Sequence, residues 1–295
     1  MRMASVSKSL TGSALHSAIS VNLLALRRYL RILLYSVENN HDLIEFIDNV
    51  CVGNIRLALE FVTTFVGSGH VNTQKMLDLD NRQRPGHHYV VPLHEFLRAI
   101  MYGDNSHYDP QTSPIVNMFD ITSFDGREHF ILPILIDYVM RASSSAGVEG
   151  FVGTREVFKY AQNAGFTPAQ IQAALRRALH RKLVEGEARR VPESGDPMPT
   201  SIRATTVGAY HATRLIGYFT YADAVVVDTP ILDDNVRRSM GDEHLINGRL
   251  ARASAFCVYL DEQWKTVPKK AVSFDWDLFA GNLRAEIGRI RGLVS

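Results

Sequence analysis

Between Thr154 and Leu183 the chain reads TREVFKYAQNAGFTPAQIQAALRRALHRKL, which two helices joined by a tight turn satisfy best. Gly165 can take the left-handed conformation that closes a helix. Thr167 is a good N-cap, Pro168 fits the first helical position, and Gln170 stands where a capping box needs it. Within the second helix Ile171, Ala174, Leu175, Ala178 and Leu179 repeat at helical spacing and form one apolar stripe. Gln172, Arg176 and His180 fall on another face, flanked by Arg177 and Arg181. Two short helices with a basic outer face on the second form the pattern of a helix-turn-helix, which places its second helix in the DNA major groove.

What surrounds this pair extends the pattern. Leu183–Gly186 and Ser201–Thr206 are short strand candidates. The VPESGDPMP stretch between them carries too much proline and glycine to be regular, and suits the tip of a hairpin. A helix is expected upstream over Asp125–Arg141, with Asp125 as N-cap and Glu128 at N3, and another downstream over Ala209–Ile216. Helix, helix, helix, hairpin, helix is the winged-helix order. Further helices are expected over Glu243–Leu260 and Phe274–Ile290, the last amphipathic. The fold class is therefore mostly α: a helical lid-like bundle, then a winged-helix domain with a small β-wing and C-terminal helices. The expected divisions are 1–70 for the bundle, 71–124 for an irregular linker with a short helix, 125–222 for the winged helix and 223–295 for the C-terminal extension.

Charge matters here locally, not globally. The formal net charge is only +1. Between Phe151 and Thr220, however, ten lysines and arginines stand against five acids, the local excess that phosphate contacts need. The expected DNA-binding set is Gln172, Arg176, Arg177, His180, Arg181 and Lys182 on or just after the second helix, with Arg189, Arg190 and Arg203 on the wing. Double-stranded DNA is the expected partner. The alternative is a protein surface, met by the same basic face.

Other chemistry is thin. Cys51 and Cys257 lie in apolar surroundings with no metal spacing and no disulfide framework, which suits a reducing cytosol and a cytoplasmic protein. The longest apolar runs are broken by charge, as in LLALRRYLRILLY, so no membrane span is expected. His87, His88, His94 and His107 cluster near Asp104 and Asp109 without a ligand spacing, and no metal is expected. Asp223, Asp228, Asp233 and Asp234 read as a helix followed by an acidic turn. No catalytic constellation and no cofactor motif can be placed, so no enzyme activity is expected.

Ahead of the basic segment, DLIEFIDNVCVGNIRLALEFVTTFV is a helical pair. Gly53 can end its first helix and Asn54 can cap its second. That places Arg56 in a first turn, where the helix dipole disfavours a cation. Gly53-Asn54-Ile55-Arg56 with the following Leu-Ala-Leu-Glu resembles the lid subdomain of AAA+ and STAND ATPases. In that family the equivalent arginine, here Arg56, senses nucleotide phosphates. Lid followed by winged helix is also the order in the origin-recognition initiator family and in bacterial STAND regulators. The resemblance spans about residues 20–220. No G-x-x-x-x-G-K-[ST] occurs, and the nearest glycine-rich stretch, Val66-Gly67-Ser68-Gly69-His70, lacks the lysine. The resemblance thus implies the C-terminal part of a larger ATPase without its nucleotide-binding core. Arg56 is then vestigial or acts in trans, and the core or another protein is a possible partner.

Overall fold

The computed structural model describes residues 12–145, 150–188, 196–241 and 245–294. In chain order the helices are α1 (Gly12–Asn39), α2 (His41–Cys51), α3 (Ile55–Gly67), α4 (Thr73–Asn81), α5 (Leu93–Tyr102) and α6 (Ile131–Ser145). Strand β1 (Val152–Gly153) follows, then α7 (Thr154–Asn163), α8 (Pro168–His180), β2 (Val184–Gly186) and β3 (Ser201–Ala204). The chain closes with α9 (Thr206–Thr213), α10 (Phe219–Val225), α11 (Asp234–Ser239), α12 (Ile246–Trp264) and α13 (Trp276–Val294). It is mostly helical with one small antiparallel sheet. Contacts divide it into two compact units, residues 1–46 with 69–96, and residues 47–68 with 97–295. These cut across the divisions drawn from sequence: α1 falls in the first unit and α3 in the second.

The first unit is organised around Asp80 at the end of α4. Its nearly buried carboxylate accepts from Arg28 at 3.2 Å, from the backbone N–H of Tyr89 at 3.0 Å, and pairs with His88 at 3.0 Å. Burial alone would raise the Asp80 carboxyl, but these bonds outweigh it and hold the group low. Ser36 and Asn40 tie the end of α1 to Val91: Ser36 Oγ accepts from its N–H, and Asn40 donates to its carbonyl. Tyr29, Ile32 and Leu33 of α1 are buried in this unit, as are Leu43, Phe46, Met76 and Phe96.

The second unit contains the winged-helix order, α6-β1-α7-α8-β2-β3. The sheet order is β1-β3-β2, with Val152 opposite Ile202 and Gly186 also opposite Ile202. Strand β1 has only two residues, too few for alternation to reveal it in sequence. Helix α8 starts as its sequence requires. Thr167 caps it, the reciprocal capping box with Gln170 is formed, and Pro168 opens it. The residues of the expected apolar stripe are all buried.

Upstream, Asp125 does act as a cap, accepting from Arg127 N–H at 3.1 Å, but it starts a 3₁₀ turn over Gly126–Phe130, and α6 begins only at Ile131. Glu128, expected inside that helix's first turn, is instead fully engaged by Thr122 and Ser123. Their N–H and hydroxyl groups donate four bonds to it.

Residues 108–124, expected as part of a linker, form an irregular strap whose middle, Ile115 to Phe119, is buried. Phe119 sits at its centre, with ring centroids 5.4 Å from Trp276, 5.8 Å from Phe256, 6.3 Å from Tyr221 and 6.4 Å from Phe130. Buried backbone must find hydrogen-bond partners, and an irregular strap has no ladder to supply them. Side chains do so here. His211 Nε2 accepts from Val116 N–H at 3.1 Å. The Tyr221 hydroxyl accepts from Met118 N–H at 2.8 Å and donates to Val116 O at 2.7 Å. His129 Nδ1 donates to Phe119 O at 2.5 Å, and its Nε2 meets the Tyr259 hydroxyl at 2.9 Å. The C-terminal helices α12 and α13 complete the same core, burying Trp264 and Trp276.

Candidate interaction surface of the winged helix

Helix α8 is the element on which the expected contact residues converge, and its cations divide between two roles. Arg177 turns inward. Its guanidinium donates to the Asp120 carboxylate at 2.5 Å and to the Asp120 carbonyl at 2.9 Å. Arg181 does likewise, donating to the carbonyls of Pro110 at 2.8 Å and Ser113 at 2.5 Å. Both therefore hold the strap. A guanidinium fork matched to fixed carbonyls is a positioning device, and the two terminal nitrogens of each arginine are engaged in it.

The face that α8 leaves outward is Ala169, Gln172, Ala173, Arg176 and His180, with Lys182 just beyond its end. Arg176 donates to the Asp196 carbonyl at 2.8 Å, which links the helix to the returning arm of the wing. Lys182 is exposed and sits at φ 56, in the left-handed region that ends the helix. On the wing, Arg203 pairs with Glu185 at 2.6 Å across β2–β3 and lies 4.8 Å above the Phe151 ring. Arg189 and Arg190 lie outside the described residues. Gln172, Arg176, His180 and Lys182 thus share the outer side of α8, while Arg177 and Arg181 do not join them.

The start of α8 is unusually well fixed. Gln170 donates to Ser123 Oγ at 3.1 Å and to Asp125 Oδ2 at 3.2 Å. Asp125 in turn holds Arg127 through two bonds at 3.0 and 2.8 Å. Gly165, at φ 90, leaves room for that guanidinium: a β-carbon there would come within 2.7 Å of it. Phe124, between Ser123 and Asp125, is 98% exposed.

Compared with protein-family models, curated proteins and solved structures, the chain has no match.

The α2–α3 junction forms a second notable surface of the same unit. Asn54 caps α3 as expected, accepting from Leu57 N–H at 3.2 Å. Val52 occupies φ 48, a region that a β-branched residue rarely enters, and Gly53 follows at φ 73. Around the exposed Arg56 stand Val52, Ile55 and Leu59, at 55%, 75% and 62% exposure. Three large apolar side chains beside a cation are a patch of the kind that protein partners cover. Sequence reasoning found Arg56 but not this apolar surround, which was legible only as helical periodicity.

Among the described residues no cluster of three metal-ligating side chains occurs, and no helix is long and apolar enough to cross a membrane. His88 serves Asp80, and Asp223 is buried with arginines. Both cysteines are free and buried, and burial pushes each thiol up to about 11. They act as small apolar side chains and not as nucleophiles at neutral pH.

Proposed function

We propose that this chain is a regulatory interaction module in which a winged helix and a lid-like helical hairpin work against a protein partner. The observation that carries this reading is the inward turn of Arg177 and Arg181. Two of the cations best placed for phosphate contact are spent on the strap, and the outer side of α8 keeps only Arg176 and Lys182 as fixed cations beside small or neutral residues. The Val52, Ile55 and Leu59 patch around Arg56 supplies the complementary apolar contact. By resemblance, that partner is the nucleotide-binding core of a P-loop ATPase, supplied in cis or in trans.

A second reading, duplex DNA, retains support from one feature. Ala169 and Ala173 allow close approach to the outer side of α8, where Gln172, Arg176, His180 and Lys182 lie. Arg203 would then be the wing contact.

Mobility shift with random duplex DNA at about 50 mM salt separates the two, because nonspecific phosphate binding is strongest there. The protein reading expects no shift. A shift that is lost in an Arg176→Ala, Lys182→Ala double variant, with a salt slope lower by about 0.9 per contact removed, would establish the DNA reading instead.

A further inference from the structure

Helix α3 presents a continuous apolar seam to solvent. Ile55, Leu59, Val62 and Val66 stand alternately four and three residues apart, a spacing that keeps them on one side of the helix. Ile55 and Leu59 are largely exposed, and Val62 and Val66 partly so. The side that packs inward is a different one, marked by the buried Phe61 and Phe65. Arg56 and Glu60 edge the seam on one and the same flank. Both are exposed, and no ion pair among the described residues engages either. Val52, just ahead of the helix, keeps a left-handed backbone that glycine would relieve. Strain retained at an exposed position points to a use for its side chain.

The seam is complementary to itself. Two copies of α3 laid antiparallel, about a twofold axis at the level of Ala58, bring Ile55 of each against Leu59 and Val62 of the other. Antiparallel symmetry also sets like flank against like flank. Arg56 of one copy then comes level with Glu60 of the second copy, and the pair is made twice. A parallel arrangement would turn the two charges to opposite flanks and leave them unmatched. A uniformly acidic surface would answer Arg56 and repel Glu60, and a basic one would do the reverse. One cation and one anion in this order select a partner that carries them in the reversed order, which a second copy run antiparallel supplies.

We propose that α3 is a homodimerisation surface, on which a second copy of this chain packs its own α3 antiparallel through Ile55, Leu59 and Val62, with reciprocal Arg56–Glu60 ion pairs. This gives the Val52, Ile55 and Leu59 patch a specific occupant besides an ATPase core, and it rests on the reading of that patch as a protein contact. One helix of 13 residues covers less than the roughly 800 Å² per partner of a stable interface, so the dimer is weak and forms with rising concentration.

The test is sedimentation velocity of the full chain across the micromolar range. The mass should rise with concentration from one chain to two and stop there, because a twofold contact closes on itself. Leu59→Glu, at an exposed position, should stay monomeric. Arg56→Glu alone, or Glu60→Arg alone, sets like charges opposite each other twice and should weaken association by about tenfold. The double variant Arg56→Glu, Glu60→Arg restores opposite charges and should recover parental association to within about threefold. Leu278→Glu, at an equally exposed leucine of α13, should dimerise like the parent. A parent that is monomeric at every concentration, or whose mass climbs past two chains, overturns the proposal. So does a dimer that survives Leu59→Glu or is lost in Leu278→Glu, and so does a double variant that associates no better than either single one. Sedimentation of the parent can overturn it even if a variant does not fold. A monomeric parent leaves the protein-partner reading standing, because that reading falls only on a DNA shift carried by Arg176 and Lys182.

Discussion

His211 is the residue whose chemistry most constrains the molecule. Its Nδ1 donates to Val207 O at 2.7 Å and its Nε2 accepts from Val116 N–H, so only the neutral ring satisfies both bonds. Burial pulls its pKa down from 6.5 to about 4. The unfolded chain takes up the proton near pH 6.5, whereas the folded chain resists it until about pH 4, so the unfolded state binds more protons in between. The stabilisation is therefore complete above pH 6.5 and is lost as pH falls through that window, by roughly 3 kcal/mol. Urea midpoints measured from pH 7 to pH 4 should fall accordingly, and His211→Gln should flatten the dependence. His129 acts in the same direction, since burial lowers it too. Arg177 makes an independent test. Its bonds to Asp120 are part-buried and charge-assisted, so Arg177→Ala should destabilise by about 1.5–3 kcal/mol in equilibrium unfolding. A change within about 0.5 kcal/mol, the usual range for unengaged surface positions, would return Arg177 to the outer face.

At the scale of elements, legibility followed locality. Helix α8 was readable because its cap, its first proline and its apolar stripe all lie within its own residues. Thr167→Ala should cost about 1 kcal/mol, measured by thermal or urea unfolding. The wing strands were readable from the turn residues between them. Strand β1 was not, because two residues carry no period, and α4 was absorbed into an expected linker although Asn72 caps it by accepting from Lys75 N–H at 2.8 Å. The direction taken by Arg177 and Arg181 was also hidden. Their acceptors lie 57 to 71 residues away and are mostly main-chain carbonyls, which leave no mark in composition. Glu128 was misplaced for a related reason: its position suits a helix start, yet its partners stand before the helix. Packing between elements gives one further prediction. Gly208 of α9 faces the Leu183 carbonyl so closely that a β-carbon would overlap it. Gly208→Ala should therefore destabilise by about 1–3 kcal/mol despite the better helix propensity of alanine, seen as a lowered unfolding midpoint.

At the scale of the molecule, the winged helix does not own its core. Phe119 from the strap packs against Trp276 and Phe256 from the C-terminal helices, and His129 reaches Tyr259. The sequence suggested a separable domain over 125–222 because the winged-helix order is complete there. Separability depends on where apolar surface is covered, which the order of elements does not reveal. A fragment of residues 125–222 should therefore fail to unfold cooperatively, while residues 97–295 joined to 47–68 within the intact chain should give one transition. Calorimetry of the fragment and the full chain checks this.

The strap also bears on how the chain can be made. Its partner Tyr221 lies 103 residues after Met118, and Tyr259 lies 130 residues after His129. At about 5–20 residues per second, several seconds to some tens of seconds of synthesis separate each group from its match. During that interval the apolar sequence around Phe119 has emerged without the aromatic side chains that will enclose it. The newborn chain thus passes through a period of exposed stickiness that ends only when its last helices leave the ribosome.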